Sequence, residues 1–375
     1  MVWPIRKTFR CSKNFWAALA SEITAPVLRW NIRAIPALSP RESWKKGILL
    51  GANHIGDILY RSSSLAQLKA GIPNCEWHIL APSPACDVLL GNSAISKVQA
   101  FDIPSAKTSP EFQVLKDESY DVAICYDTGM YLKPLRLCVE LGIPNRVAYV
   151  HKGFSAWVTH PITITYPQPF PAYFRALVSQ ITGVAPCWSL RPQVFPSPGD
   201  LLVAKTLVDS TSIDPSRPIL ACFPTSRQPK SEAATETVAK ILASVERLSP
   251  DVQTILLGAP SEIPALEALK TRHKLRAVVG KPSLGLMPLA CFLKLCAGVL
   301  CADSGPRHLA NAAETKVFFV RNLASDATET GAYLDSETDL IKNPISNASL
   351  ESRGTILAQI DQKACAETVL SVLDS

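Results

Sequence analysis

The sequence predicts an α/β protein of two domains, each a parallel sheet covered by helices on both faces, the two facing one another across a cleft. Three observations carry this. Short apolar runs alternate with helical patterns from residue 47, as β-α-β units require. A proline-rich stretch over 160–215 interrupts that alternation, which then resumes. The length, 375 residues, exceeds what one core usually organises.

In the first half the strands are GILLGA from residue 47, EWHILAP from 76, KVQAF from 97, DVAICYD from 121 and RVAYV from 146. Helices start at Asp57, near 84–90, near 109–118 and after residue 127. The irregular stretch holds one helical pattern, YFRALVSQITG from 173. The second half reads PILACFP, a helix over 233–247, VQTILLG, a helix from Glu262, LRAVVG, a helix over 286–296, GVLCAD, a short helix after Gly305, and KVFFVR. LAQIDQKACAETVLSVL, from 357, forms a closing helix. The expected units are an extension over 1–46, a first domain with its linker over 47–190, a second domain over 191–355 and the closing helix over 356–375.

An apolar fraction of 47% with 19% charged residues fits a folded chain and excludes general disorder. The net charge of +6 is uneven: residues 1–46 hold nine Lys or Arg against Glu22 and Glu42, and the rest is about neutral. A nucleic-acid-binding body is therefore excluded. The arm, with Phe15, Trp16, Leu19, Ile23 and Leu28 among its basic residues, suits peripheral contact with an anionic membrane or packing on the protein. It makes a poor signal peptide, because Glu22 breaks its apolar stretch. The apolar run over 284–302 contains Pro288 and Lys294 and reads as a core helix and strand, not a membrane span. Eleven cysteines, scattered singly through apolar runs without a C-x-x-C pair, indicate a reduced, cytoplasmic chain, and no spacing suggests a metal site.

No G-x-G-x-x-G follows a strand, no P-loop lysine follows Gly56, and no Ser/His/Asp signature is present. Asp57, beside Gly56 and His54, stands where a strand turns into a helix, and taken alone it reads as a helix cap rather than a catalyst. In GVLCADSGPRHLANAAE, from 298, a strand ends in Asp303, Ser304 and Gly305, and a helix opens at Pro306. That piece fits a cap and an anion site equally, since a helix start offers free N–H groups. ILACFPTSRQPKSEAATE, from 219, places Thr225, Ser226, Arg227 and Lys230 after another strand. Two donor-rich loops at the strand ends of one sheet suit a phosphate better than either does alone.

These residues resemble bacterial glycosyltransferases of family 9, the lipopolysaccharide heptosyltransferase type. The resemblance runs from about 48 to 322, through HIGDILYRSSSLAQLKAGIPNCEWHIL, YDVAICYDTG, LGIPNRVAYVHKG, FPTSRQPKS, LLGAPSE and LCADSGPRHLANA. It implies the GT-B fold: two Rossmann-like domains, the first for the acceptor and the second for a nucleotide-sugar donor. It further implies an inverting, metal-independent transfer of a heptose-like sugar from a nucleotide diphosphate to a saccharide or glycolipid, with no cofactor. Asp57 falls at the family's proposed base, with His54, Gly56 and Arg61 on the acceptor side. Lys230, with Thr225 and Ser226, falls at the phosphate site, Asp303 at the donor sugar, and Ser304, Gly305 and His308 at the diphosphate. The chemistry agrees, because a hydroxyl needs a proton acceptor to attack and a departing diphosphate needs positive charge and N–H donors. RSSS at 61–64, FPTS at 223–226 and the missing aromatic after Lys230 depart from the family pattern. The alternatives are a nucleotide-sugar-binding protein that has lost turnover and an epimerase of the same fold. Asp57, Lys230 and Asp303 together favour the transferase, and few acids stand where an epimerase would need them.

Overall fold

The computed structural model describes residues 39–51, 54–103, 107–126, 132–149, 157–186, 189–209, 211–225, 232–280, 285–342 and 348–373. Residues 1–38 of the arm, with its amphipathic stretch, and Ser226 and Lys230 therefore lie outside the described residues.

The first sheet contains β1 (Lys46–Leu50), β2 (Glu76–Leu80), β3 (Lys97–Gln99), β4 (Val122–Cys125), β5 (Asn145–Tyr149) and β6 (His160–Ile162). Its strands lie in the order β3-β2-β1-β4-β5-β6 and every pair is parallel. The second sheet contains β7 (Ile219–Phe223), β8 (Gln253–Leu256), β9 (Val278–Val279), β10 (Gly298–Ala302), β11 (Val317–Val320) and β12 (Glu337–Asp339). Its order, β12-β11-β10-β7-β8-β9, repeats the first topology, again wholly parallel. In both, the chain reverses its direction of winding between the first and fourth strands, the place where such sheets bind ligands beyond their carboxyl ends.

The helices of the first half are α1 (Ile55–Ser62), α2 (Leu65–Gly71), α3 (Pro110–Asp117), α4 (Leu132–Glu140) and α5 (Phe170–Thr182). Those of the second are α6 (Pro198–Asp209), α7 (Glu232–Leu248), α8 (Ile263–His273), α9 (Leu286–Leu295), α10 (Gly305–Ala312), α11 (Ala327–Thr330), α12 (Leu350–Ala358) and α13 (Gln362–Leu373). The helix expected near 84–90 is a 3-10 turn, Ala85–Leu89. The stretch read as irregular supplies β6 and α6. The closing helix is α13, packed on α7.

Central strands are fully buried because helices cover both faces, so each reads as an unbroken apolar run. Alternate residues nevertheless enter different cores. Leu220, Cys222, Leu300, Phe318 and Val320 pack outward against α7 and α13. Ala221, Phe223, Val299, Cys301 and Phe319 belong to a cluster that runs through α9 and α10 into the first domain. The two domains thus share one buried core on their facing sides, and α1 packs directly on α10. No described helix is long and apolar enough to cross a membrane.

Candidate active site

Helix α1 starts where β1 ends, and α10 starts where β10 ends, so both heads lie at the topological reversal of their own sheet. Two glycines let them meet. A Cβ on Gly305 would sit 3.4 Å from the Ile55 Cβ, and one on Gly56 would sit 3.5 Å from the Gly305 Cα and 2.9 Å from His308 Cδ2. The missing side chain at Gly56 thus leaves room for His308 of the other domain. Two helix N-termini converge here, each adding positive potential and N–H donors suited to an anion.

Asp57 is not the cap of α1. The cap position belongs to His54, which is exposed and makes no side-chain capping bond, while Asp57 sits in the first turn. Its carboxylate is held from the flank: the Tyr60 hydroxyl donates to Oδ1 at 3.0 Å, and Arg61 Nη1 lies 3.8 Å from the same oxygen. Asp57 keeps 35% of its side-chain surface exposed, whereas Arg61 keeps 7%. Arg61 is therefore no surface contact for an acceptor. It donates to the Asp57 and Tyr126 carbonyls and lies over both tyrosine rings, 4.5 Å from the Tyr60 centroid and 4.6 Å from that of Tyr126. Burial works against its charge, but Tyr60, Asp57 and Tyr126 outweigh that and raise its pKa, so it stays a cation.

On the other side Ser304 occupies the cap position of α10 without capping it, its hydroxyl donating to the Ala302 carbonyl at 3.2 Å. Asp303 Oδ1 accepts from Arg307 Nη1 at 2.9 Å, one helical turn on, and Oδ2 accepts from Asn322 N at 3.4 Å. His308 stands edge-on to Tyr60 and stacks beside Tyr333, whose hydroxyl lies 2.8 Å from His308 Nδ1. Burial, with Arg307 adjacent, lowers the His308 pKa well below its ordinary value and keeps the imidazole neutral. Thr225, half-buried, follows β7 at the same end of the sheet. Among the described residues no group of three His, Cys, Asp or Glu is placed to hold a metal ion.

Sequence reasoning passed over three features of this region. Arg307 is 1% exposed and lies 3.6 Å above the Phe319 ring. Glu337, buried on β12, accepts from Arg307 Nε at 2.7 Å and from Asn311 Nδ2 at 2.7 Å. Between the domains, Tyr173 and Tyr166 donate to Glu329 at 2.8 and 3.2 Å, tying the first domain to α11. Only the four-residue spacing from Asp303 to Arg307 was visible in the sequence.

Burial also lowers the pKa of His78 and His160. A histidine with a depressed folded pKa binds its proton mainly after unfolding, so its contribution to stability is complete above about pH 6.5 and declines below it. Glu118, held at about 2 by Lys97 and Lys46, loses its contribution only at lower pH, from about 4.5 downward. The melting temperature should therefore fall between pH 7 and pH 5, with a smaller fall in His308→Gln. Calorimetric scans at the two pH values check this, and an equal fall in both proteins would refute the role given to His308.

Solved structures with this fold include a family 9 glycosyltransferase from Veillonella parvula, with a TM-score of 0.67 at 15% identity over 86% of this chain and 100% of that one. They also include the ADP-heptose lipopolysaccharide heptosyltransferase II of E. coli, with a TM-score of 0.64 at 18% identity over 88% and 98%. A third, the E. coli heptosyltransferase WaaC with ADP, gives 0.62 at 15% over 87% and 99%. No curated protein matches the sequence. The family model for glycosyltransferase family 9 (heptosyltransferase) matches residues 112–353, a span that takes in β4 through β12 and the whole Asp303–His308 segment. With that span and twin parallel sheets whose reversal points face each other, the chain belongs to glycosyltransferase family 9, the heptosyltransferase family.

Proposed function

We propose that the chain transfers a heptose-like sugar from a nucleotide diphosphate to a saccharide or glycolipid acceptor, with inversion and without a metal ion, as in lipopolysaccharide assembly. The observation that supports this is the meeting of the α1 and α10 heads: Asp57 lies in the first turn of one, and Asp303, Ser304, Gly305 and His308 lie at the start of the other. Asp57 takes the proton of the attacking hydroxyl. Asp303 engages the donor sugar, and the α10 head with His308, Thr225, Ser226 and Lys230 holds the diphosphate. The heptosyltransferase WaaC has been solved with ADP, which makes ADP the first probe to use here.

ADP should bind the wild-type chain, and Lys230→Ala should weaken it by about 1.5 to 3 kcal/mol, the worth of a hydrogen bond to a charged group. Titration calorimetry on both proteins decides this, and an unchanged affinity removes Lys230 from the site. The arm over 1–46 we assign to peripheral contact with an anionic membrane face, each basic residue near the surface contributing roughly 1 kcal/mol. Sedimentation with anionic vesicles should be salt-sensitive and lost on deleting residues 1–38. Binding that survives the deletion would place the contact elsewhere.

A further inference from the structure

Asp303, just before α10, and His308, within it, are both assigned to the donor and are joined by one buried chain of hydrogen bonds with Arg307 as its hub. All five guanidinium N–H groups are engaged: Nε and Nη2 with the two Glu337 oxygens, Nη1 with Asp303 and the Thr330 carbonyl, and Nη2 again with the Gly331 carbonyl. This planar five-donor pattern is beyond lysine, which offers three donors on a point charge.

The chain continues from Glu337. Its Oε1 also accepts from Asn311 Nδ2 at 2.7 Å, which identifies that atom as the amide nitrogen. Nδ2 has a second hydrogen, directed at the Tyr333 hydroxyl 2.9 Å away. A phenol that accepts there has one proton left, and its remaining partner is His308 Nδ1 at 2.8 Å. His308 Nδ1 is therefore the acceptor and Nε2 carries the hydrogen. Nε2 faces the head of α1, 3.6 Å from where a Gly56 Cβ would lie. The carbonyls of Thr330 and Gly331 that Arg307 engages directly follow Glu329, the residue gripped by Tyr173 and Tyr166 of the first domain.

We propose that Arg307 is a positioning residue: it fixes the Asp303 carboxylate directly and, through Glu337, Asn311 and Tyr333, presents His308 to the donor diphosphate as an Nε2–H donor. This rests on the donor-site reading above. Arg307 itself, wholly enclosed, touches no ligand. Tyr333→Phe removes one hydroxyl from the relay, and Arg307→Lys removes its hub.

The test uses the full chain with ADP as the probe. Titration calorimetry should show affinity falling roughly 3- to 10-fold in Tyr333→Phe and about 10-fold or more in Arg307→Lys. In a His308→Ala background neither change should weaken ADP further, because the relay then ends on nothing. Losses that multiply with His308→Ala would make Arg307 a structural brace alone and overturn the proposal. Nitrogen-15 NMR of the imidazoles supplies a readout independent of any ligand. His308 should be a single Nε2–H tautomer in the wild type and a mixture in Tyr333→Phe. A wild-type Nδ1–H tautomer, or one unmoved by Tyr333→Phe, refutes the relay even if Arg307→Lys does not fold. If the wild type binds no nucleoside diphosphate, the donor-site reading fails, while the NMR result still decides whether the relay exists.

Discussion

Asp57→Asn is expected to lower turnover by roughly 10²- to 10⁴-fold, the usual worth of a positioned general base. Asparagine keeps the size of the side chain and still accepts from the Tyr60 hydroxyl, but its amide oxygen cannot take a proton from an attacking sugar. Stability should change little. Asp57 is partly exposed and 3.8 Å from Arg61, a distance and exposure at which an ion pair contributes roughly 0 to 1 kcal/mol. Arg61 would also keep the Asp57 and Tyr126 carbonyls and its two aromatic faces. ADP affinity should survive as well, because the diphosphate ligands assigned above come from the other domain. Turnover measured with ADP-heptose and a glycolipid acceptor, alongside calorimetric ADP binding, checks the separation of the two sites. A variant with near-normal turnover would return Asp57 to a merely local role, and one that loses several kcal/mol of stability would show that its carboxylate braces α1.

Both domains could be read from the sequence because their central strands are buried on two faces and so appear as VAIC, ILACF and GVLCA, runs with no polar interruption. One edge of each sheet was illegible for the opposite reason. β6 and β12 are three residues each, HPI and ETD, too short and polar for a periodic signal, and only tertiary pairing with β5 and β11 makes them strands. Asp303 was visible because it directly follows an apolar strand, and Asp57 because it stands in the first turn of the helix that succeeds one, both at the carboxyl ends of parallel strands. Gly56 was visible, but the close approach it permits to His308, more than two hundred residues away, is encoded by no local pattern. Arg307 stood inside the quoted motif without a role. Its partners Thr330, Gly331 and Glu337 lie 23 to 30 residues on, at the end of a four-residue helix and in an edge strand that carry no signal of their own.

Arg307→Ala should produce the largest loss of stability of any single change at the site, about 3 to 5 kcal/mol, the cost of breaking a buried ion pair from one side. The cost comes from what is left behind. Glu337, with a side chain fully excluded from water, would keep the Asn311 and Tyr333 N–H groups but lose its only cationic partner among the described residues, and Asp303 would lose the donor that holds Oδ1. The Thr330 and Gly331 carbonyls would be stranded as well, and the Phe319 ring would face a cavity. Pairing alone does not make such a network stabilising, because desolvating both charges offsets much of their attraction. The double change Arg307→Met with Glu337→Leu should therefore recover a large part of the loss, even though Asp303 stays unbraced. Denaturant unfolding of the two variants against the wild type tests this. A double variant no more stable than Arg307→Ala would mean that the geometry around Asp303, rather than the unpaired charge on Glu337, sets the cost.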